Sequence, residues 1–357
     1  MKFAKLFNGI IIVITLIAYG ASHVNPASFW PAGFVAMAIP VLLVTNAVFV
    51  VYWLTRRPLW ALYPALVLLL GTRFIQATIA WPTGAETTGA RGDAFRVTTY
   101  NVRAFNLYDT ASSRALIDWV RHAEADVVCL QEFYVEPDSR LFNTLATLRD
   151  GRLRHSFYSP RVANRQGGTF GMAIFSAYPI IDSGRVRMQS ENNNQIIWAD
   201  VRLPGGIARI YNIHLQSIRL NRDDLGEGAD PTDRDDLRAR ATSVFGKLKE
   251  GFERRGEQLS ALTGHLRTSP HPVLVCGDLN DLPYSHTYYR LGRGLQNAFE
   301  EAGAGLGVSF RGALPLLRID NQFADPRFEV IDYQTHNQVP YSDHYPVSAA
   351  YRFRESD

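Results

Sequence analysis

Between Met1 and Trp81 the sequence contains no aspartate and no glutamate; the first acid is Glu86. The only strong cations in that stretch are Lys2, Lys5, Arg56, Arg57 and Arg73. Taking those five from the 37 Lys and Arg leaves 32 for residues 82–357, against all 34 acids. The larger part is therefore close to neutral. The basic isoelectric point near 8.8 comes from the acid-free part and is no footprint of nucleic-acid binding. Cysteine is scarce too. Cys129 and Cys276 both lie in apolar, strand-like runs, and without further ligand spacing they exclude a zinc site. They read as buried free thiols, and a disulfide stays open if the domain meets an oxidising compartment. No internal repeat and no low-complexity tract is present, which sets aside solenoids and disordered arrays.

What the acid-free stretch does contain is apolar length. Three runs, Phe7–Ala21, Ala32–Leu54 and Leu59–Ala80, precede everything else. A helix needs about 20 apolar residues to cross a bilayer core. The second run meets this, the first is short, and the third carries Arg73, which can snorkel near an interface. Lys2, Lys5 and Ala18-Tyr19-Gly20 also suit a secretory signal, but two more apolar runs favour a retained anchor. A re-entrant or peripheral hairpin is the alternative to three spans. The loop Ser22–Pro31 has no Lys or Arg, whereas Arg56-Arg57 separate the second and third runs. By the positive-inside rule the N-terminus and Arg56-Arg57 are cytoplasmic. Three crossings then put the rest of the chain outside, on the periplasmic side of a multi-pass protein in the cell membrane. The expected organisation is a transmembrane region over 1–81, a linker over 82–92 and a soluble domain over 93–357. Three acid-free spans give no support for an ion-coupled transporter.

Beyond the linker, short strands alternate with helices. Phe95–Tyr100, Asp126–Leu130, Gly171–Phe175, Gln195–Val201, Ala208–Ile213, Pro272–Cys276, Ile319–Phe323 and Pro346–Arg352 read as strands. Ser112–Ala123 and Leu141–Leu148 read as helices, and Leu237–Leu266 as a long one with a break near Gly251–Gly256. This mixture predicts an α/β sandwich rather than a helical bundle. The charge-rich stretch Arg219–Arg240 reads as a solvated loop or as a mobile loop beside a site.

Polar groups recur where the apolar runs end. Asn101 follows Val97–Tyr100, Gln131-Glu132 follow Val127–Leu130, and His214 ends Tyr211-Asn212-Ile213. Gly277-Asp278-Leu279-Asn280 closes another run, and Ser342-Asp343-His344 lies near the C-terminus. One acid at a strand end is ordinary. Several, with two histidines, predict a single polar site built from many strand ends, as metal-assisted phosphate ester hydrolysis requires.

With Thr99-Tyr100-Asn101-Val102, Gly171–Ser176 followed by Tyr178-Pro179, and Arg318-Ile319-Asp320, these pieces make seven motifs in order. Together they resemble the endonuclease/exonuclease/phosphatase superfamily over nearly all of 95–352; the apolar N-terminal runs lie outside the resemblance. It implies a four-layer α/β sandwich, two mixed β-sheets flanked by helices, with the site at one edge. It also implies a divalent cation, Mg²⁺ or Mn²⁺, and cleavage of phosphodiester or phosphomonoester bonds. The chain departs from the pattern at Leu279, where an aromatic is usual, and at Asn321-Gln322, where many members have Tyr-Ile. Both departures bear on the site wall rather than on the chemistry.

The resemblance also assigns roles. Glu132 is the leading metal ligand, with Asn101 as a neutral oxygen ligand and Asp343 in or beside the metal's shell. Asp278 orients or deprotonates water, and Asn280 offers its amide to a phosphate oxygen. His214 and His344 transfer protons or contact phosphate, with Asp320 fixing the tautomer of His344. A histidine at the position of His214 leans against an abasic-site repair enzyme. The bland readings are a strand-end surface acid for Glu132 and a capping turn for Asp278. His23, His122, His155, His265, His271, His286 and His336 fall outside the motifs and read as packing or surface residues. The expected function is a membrane-anchored, metal-dependent phosphoesterase acting on nucleic acid, or on a phospholipid or small phosphodiester, with no protein partner implied. A near-neutral domain speaks against nucleic acid, and a tether speaks for lipid. A catalytically dead binding module would show erosion at the motif positions, and none is eroded.

Overall fold

The computed structural model describes residues 1–81, 93–188, 194–218, 224, 234–312 and 316–355. The expected linker 82–92 lies outside the described residues, and so does most of Arg219–Arg240 before the helix that begins at Arg234. The chain forms two compact units. One contains Met1–Ala77, Gln216–Leu259 and Pro283–Arg290; the other contains Thr78–Leu215, Ser260–Leu282 and Leu291–Asp357.

The first unit opens with helices α1 (Lys2–Ala21), α2 (Pro31–Met37), α3 (Ile39–Arg56), α4 (Leu62–Leu70) and α5 (Thr72–Thr78). Helices α1 and α3 are long and apolar enough to cross a membrane; Pro58–Leu70 and α5 form a pair bent by 60° that counts as a third span if it is one. The second expected run is divided at Ala38. Pro40 sits in the first turn of α3 and has no amide to give the preceding turn, so the ladder breaks there. The third run is divided at Gly71. Tyr19 donates its hydroxyl to the Val67 carbonyl at 3.2 Å, and a Cβ on Gly71 would lie 2.0 Å from that hydroxyl. Outward, Val41, Val44, Val48 and Val51 of α3 are exposed, as a lipid-facing stripe requires. Inward, polar side chains pair with one another: Asn46 donates to Thr15 at 2.9 Å and Trp53 donates to Asn8 at 2.8 Å.

The second unit is a sandwich of two six-stranded mixed sheets. Its strands are β1 (Phe95–Asn101), β2 (Val127–Val135), β3 (His155–Ala163), β4 (Thr169–Ser176), β5 (Ile180–Arg185) and β6 (Gln195–Leu203). They continue as β7 (Gly206–His214), β8 (Val273–Asp278), β9 (Gln296–Asn297), β10 (Asp320–Ala324), β11 (Phe328–Thr335) and β12 (Val347–Phe353). One sheet runs β11-β12-β1-β2-β4-β3 and the other β5-β6-β7-β8-β10-β9. Among the described residues only β1–β2 and β7–β8 are parallel pairs, and these are the central neighbours. Alternation explains the layers. Val127, Cys129, Met172 and Ile174 face the inter-sheet core with Ile197, Ala199, Ile210 and Leu274. Val128, Leu130, Ala173 and Phe175 point the other way, onto Leu116, Ile117 and Val120 of helix α6 (Thr110–His122) and Leu148 of helix α7 (Thr144–Arg149). A strand covered on both faces reads as a continuous apolar run, as 127–130 does. The sulfurs of Cys129 and Cys276 meet across the sheets at 3.3 Å as buried free thiols.

Helix α8 (Arg234–Leu266) is continuous, without the expected break, and Gly251 and Gly256 lie inside it. Gly256 is there for close packing. A Cβ on it would lie 2.3 Å from Asn25 Oδ1 and 2.8 Å from the Ala27 amide nitrogen, in the turn after α1. Phe245 of α8 stacks with Phe34 of α2, Phe252 meets the same ring edge-on, and Lys249 lies 5.3 Å over the Trp30 ring. Helix α9 (His286–Leu291) adds Tyr289, whose ring lies 3.8 Å from His23 and under Arg73. A short helix α10 (Ala298–Ala302), capped by Asn297, returns the chain to the sandwich.

Candidate functional site

The motif residues converge at one end of the sandwich, and strand register does most of the positioning. In the second sheet, Gln195, His214, Asp278 and Asp320 stand abreast as Cα partners across β6, β7, β8 and β10. In the first sheet, Asn101 of β1 pairs with Gln131 of β2. Just past that pair the β2–β4 ladder slips between Leu130 and Phe133, and Glu132 takes a φ of +50°. The bulge swings its carboxylate out of the ladder. Asn280 has a φ of +49° in the turn after β8. Gly277 precedes it at φ +141°, where a Cβ would lie 2.0 Å from the Ile213 carbonyl, so only glycine lets β8 run this close to β7.

Polar ties hold the two sheets at this end. Gln131 donates to Asn212 Oδ1 at 2.6 Å and to Thr99 at 2.9 Å. Asn212 donates in turn to the Leu130 and Ala173 carbonyls at 3.0 and 2.9 Å. Gln322 donates to the Val97 and Val347 carbonyls at 3.1 and 2.9 Å and accepts from Tyr351. The two departures from the family pattern are thus inner structure: Gln322 ties the sheets, Asn321 accepts from Arg318, and Leu279 is fully buried.

Asn101 links the two halves of the site. Its amide donates to Glu132 and to Asp278, each at 3.2 Å, and its Oδ1 accepts the Arg103 amide. His214 Nε2 lies 3.7 Å from Asp278 and 3.8 Å from Glu132. His344 Nε2 lies 3.7 Å from the same Asp278 Oδ2, while its Nδ1 is 2.8 Å from Asp320. Asn280 donates to Asp278 and to the Leu215 carbonyl at 3.1 and 3.0 Å. Asp343 is one-third exposed, beside Ser342 and 3.6 Å from Arg103, and Glu132 is more exposed still. The structure therefore brings all eight sequence-predicted residues into one neighbourhood.

Electrostatics separate their duties. Burial pushes the Asp278 carboxyl up to about 6; the nearby His344 and His214 pull it down and Asp320 pushes it up. Burial pushes His344 down, but Asp320 and Asp278 outweigh this and raise it to about 10. An imidazolium has no lone pair for a metal. The close group Asp278, Asp320 and His344, whose ligand atoms lie within 4.8 Å of one another, is thus better suited to a hydrogen-bonded relay than to a cage. Asn101, Glu132 and Asp343, with Asp278 adjoining, supply the oxygen donors a hard divalent cation takes. Four carboxylates at one end need such a charge before a phosphate can approach. Asp320 Oδ1 is buried without a hydrogen-bond partner among the described residues, while Oδ2 faces His344.

Sequence reasoning gave no role to several supporting groups. Ser309 accepts from the Ile319 and Asp320 amides at 3.1 and 3.0 Å and sits in no motif, so nothing in the chain signalled it. Ser342 donates to the Asn101 carbonyl at 2.8 Å, and its place beside Asp343-His344 was the available signal. Phe310 packs edge-on to His344 at 5.0 Å. Outside the site, His265 pairs with Tyr211 and His336 with Ser348, as packing residues do.

Comparison with known proteins agrees with this geometry. A solved endonuclease/exonuclease/phosphatase from Beutenbergia cavernae superposes with a TM-score of 0.52 at 18% identity, over 73% of this chain and 72% of that one. The human Nocturnin catalytic domain matches at 0.50 and 15%, over 73% and 95%. A humanized D. rerio TDP2 matches at 0.50 and 16%, over 72% and 99%. These likenesses show a shared fold. No curated protein matches the chain. Residues 1–78 match a domain of unknown function, DUF8431. Residues 98–344, more than half of the chain and the span that holds every residue of the site, match the Endonuclease/Exonuclease/phosphatase family, to which this protein belongs.

Proposed function

We propose that this protein is a membrane-anchored, divalent-cation-dependent hydrolase of phosphoester bonds whose catalytic domain lies outside the cytoplasm. The observation that carries the reading is Asp278 Oδ2, which faces Nε2 of both His214 and His344 at 3.7 Å and the Asn101 amide at 3.2 Å. The spacing to the histidines is too wide for direct hydrogen bonds, so both Nε2 atoms can turn to a substrate oxygen set beside the three groups. Asn101, Glu132 and Asp343 would hold Mg²⁺ or Mn²⁺. Bound there, the cation would neutralise phosphate charge and stabilise the oxyanions that develop. Asp278, raised towards neutrality, orients the attacking water and takes its proton. Asn280 offers its amide to a phosphate oxygen without adding negative charge. His344, charged and fixed by Asp320, holds the phosphate and serves the leaving oxygen with His214.

The topology has its own support. The turn after α1 packs on α8 through Asn25, Ala27 and Gly256, and His23 packs on Tyr289. Residues 22–30 therefore share a membrane face with α8 and α9. The chain lies on the opposite face at Arg56-Arg57 if α3 crosses, so the bent pair must cross to return. Three spans and the positive-inside rule then favour an extracytoplasmic site.

The direct test is hydrolysis of bis(p-nitrophenyl) phosphate by the detergent-solubilised full chain, with Mg²⁺ or Mn²⁺ and with chelator. Metal-dependent turnover that falls about 10²–10⁴-fold in Asp278→Asn and His344→Ala is expected. Turnover that survives both variants would remove this site from the chemistry.

A further inference from the structure

The row of strand ends that builds the site does not stop at His214. Gln195 of β6 is the Cα partner of His214, as His214 is of Asp278 and Asp278 of Asp320. Residues set opposite one another on neighbouring strands send their side chains to the same face, with Cβ atoms about 5 Å apart. Gln195 therefore shares the face of the two acids and the histidine, one strand beyond His214, and it is buried.

The facing sheet meets this row residue by residue. Asn101 of β1 donates to Asp278, and Glu132 of β2 lies 3.8 Å from His214. At the far end Ser159 of β3, itself buried and held opposite Met172 of β4, donates its hydroxyl to Gln195 Oε1 at 2.7 Å. That bond occupies the acceptor end of the Gln195 amide. The donor end, Nε2, is buried with no hydrogen-bond partner among the described residues. Two other amides of the site are spent on the protein: Asn101 on Glu132 and Asp278, and Asn280 on Asp278 and the Leu215 carbonyl. A buried donor without an acceptor is costly to keep, so Nε2 calls for an acceptor that comes from outside the fold.

We infer that Gln195 is a further substrate-binding residue. Its Nε2 donates to a non-bridging oxygen of the phosphate set beside Asp278, His214 and His344. Ser159 is the positioning residue that holds the amide in that sense. The assignment rests on the phosphoesterase reading above. A neutral donor suits this place. It meets an anionic oxygen without pairing with Glu132 or Asp278 as a lysine or arginine would, and so leaves both carboxylates to their own duties. Binding, and not stability, is then what the pair contributes. Removing both partners of a buried hydrogen bond at similar size is close to neutral for a fold, whereas orphaning one of them is not.

The test titrates inorganic phosphate by calorimetry into the detergent-solubilised full chain with Mn²⁺, beside thermal denaturation and turnover of bis(p-nitrophenyl) phosphate. The variants are Gln195→Leu, the double variant Ser159→Ala with Gln195→Leu, and Ser159→Thr, with His344→Ala as the reference. Phosphate affinity is expected to fall about tenfold or more in Gln195→Leu and in the double variant, the worth of one hydrogen bond to a charged oxygen. The double variant is expected to melt with the wild type, and Ser159→Thr, which keeps the hydroxyl, to keep the affinity. Unchanged affinity in Gln195→Leu, with affinity lost in His344→Ala, overturns the inference and leaves the phosphoesterase reading standing. A double variant that melts well below the wild type assigns the pair to folding and overturns it too. A wild type that neither binds phosphate nor turns over the ester overturns both readings.

Discussion

His344 Nδ1 lies 2.8 Å from Asp320 Oδ2, and both side chains are almost completely buried. Asp320 is thereby spent on orientation. It holds one imidazole edge so that Nε2 points at Asp278. Asp320→Asn keeps the volume but can offer an amide where a carboxylate belongs, which destabilises the charged ring. We expect turnover to fall by about 10²–10⁴ with KM changed far less, as removal of a ring-orienting carboxylate does elsewhere. Steady-state kinetics on the soluble ester check this, and a near-normal kcat would assign Asp320 to folding alone.

Glu132 holds its site position at a backbone cost. A non-glycine residue at φ +50° carries about 1–2 kcal/mol of strain. Glu132→Gly should therefore be more stable than Glu132→Ala by about 1 kcal/mol, the reverse of the usual order. Both variants should bind Mn²⁺ much more weakly than the wild type. Thermal denaturation beside metal titration separates the two effects. An alanine variant as stable as the glycine one would mean that the bulge relaxes when its carboxylate is removed.

His336 gives a stability signal apart from the site. Burial, then the nearby Arg96, push its pKa below the ordinary histidine value, with Asp332 opposing. The folded state thus binds fewer protons than the unfolded chain once pH drops below about 6.5. Stability falls as pH falls through that window and levels off below the folded pKa. Asp278, raised to about 6, and His344, raised to about 10, act in the opposite sense over their own windows, and His265, lowered by burial, acts in the same sense, so the raw curve mixes all of them. The difference between wild type and His336→Gln isolates the histidine. The wild type should lose thermal stability relative to the variant between pH 7 and 5, and parallel curves would show that His336 is not held neutral.

What could be read from the chain followed burial. The doubly covered strands, such as 127–130 and 273–276, announce themselves as apolar runs, and the polar residues that end them announced the site. The edge strands β3, β5 and β11 are half-exposed and carry mixed residues such as Ser183 and Gln334, so no periodicity marked them. Gly251 and Gly256 suggested a break because glycine is a poor helix former. Close packing on Asn25 and Ala27 overrode propensity, and only tertiary structure holds that information. The same limit hid Ser309 and the Gln131–Asn212 tie, whose roles depend on partners 10 and 81 residues away.

Packing of α8 on the turn after α1 makes the membrane topology testable without reference to activity. Phe29 is 58% exposed in that turn, and Arg57 is exposed between α3 and α4. Cys129 and Cys276 are fully buried and compete poorly for a polar maleimide. A single cysteine at Phe29→Cys should react with an impermeant maleimide from the face that carries a reporter fused after Asp357. One at Arg57→Cys should react only from the opposite face, once the membrane is opened. The reporter is expected to work only outside the cytoplasm, because Lys2, Lys5, Arg56 and Arg57 stay inside. If both cysteines label from one face, α3 does not cross and the bent pair need not be a span. If they label from opposite faces but the reporter works in the cytoplasm, the three crossings stand and the charge rule fails here.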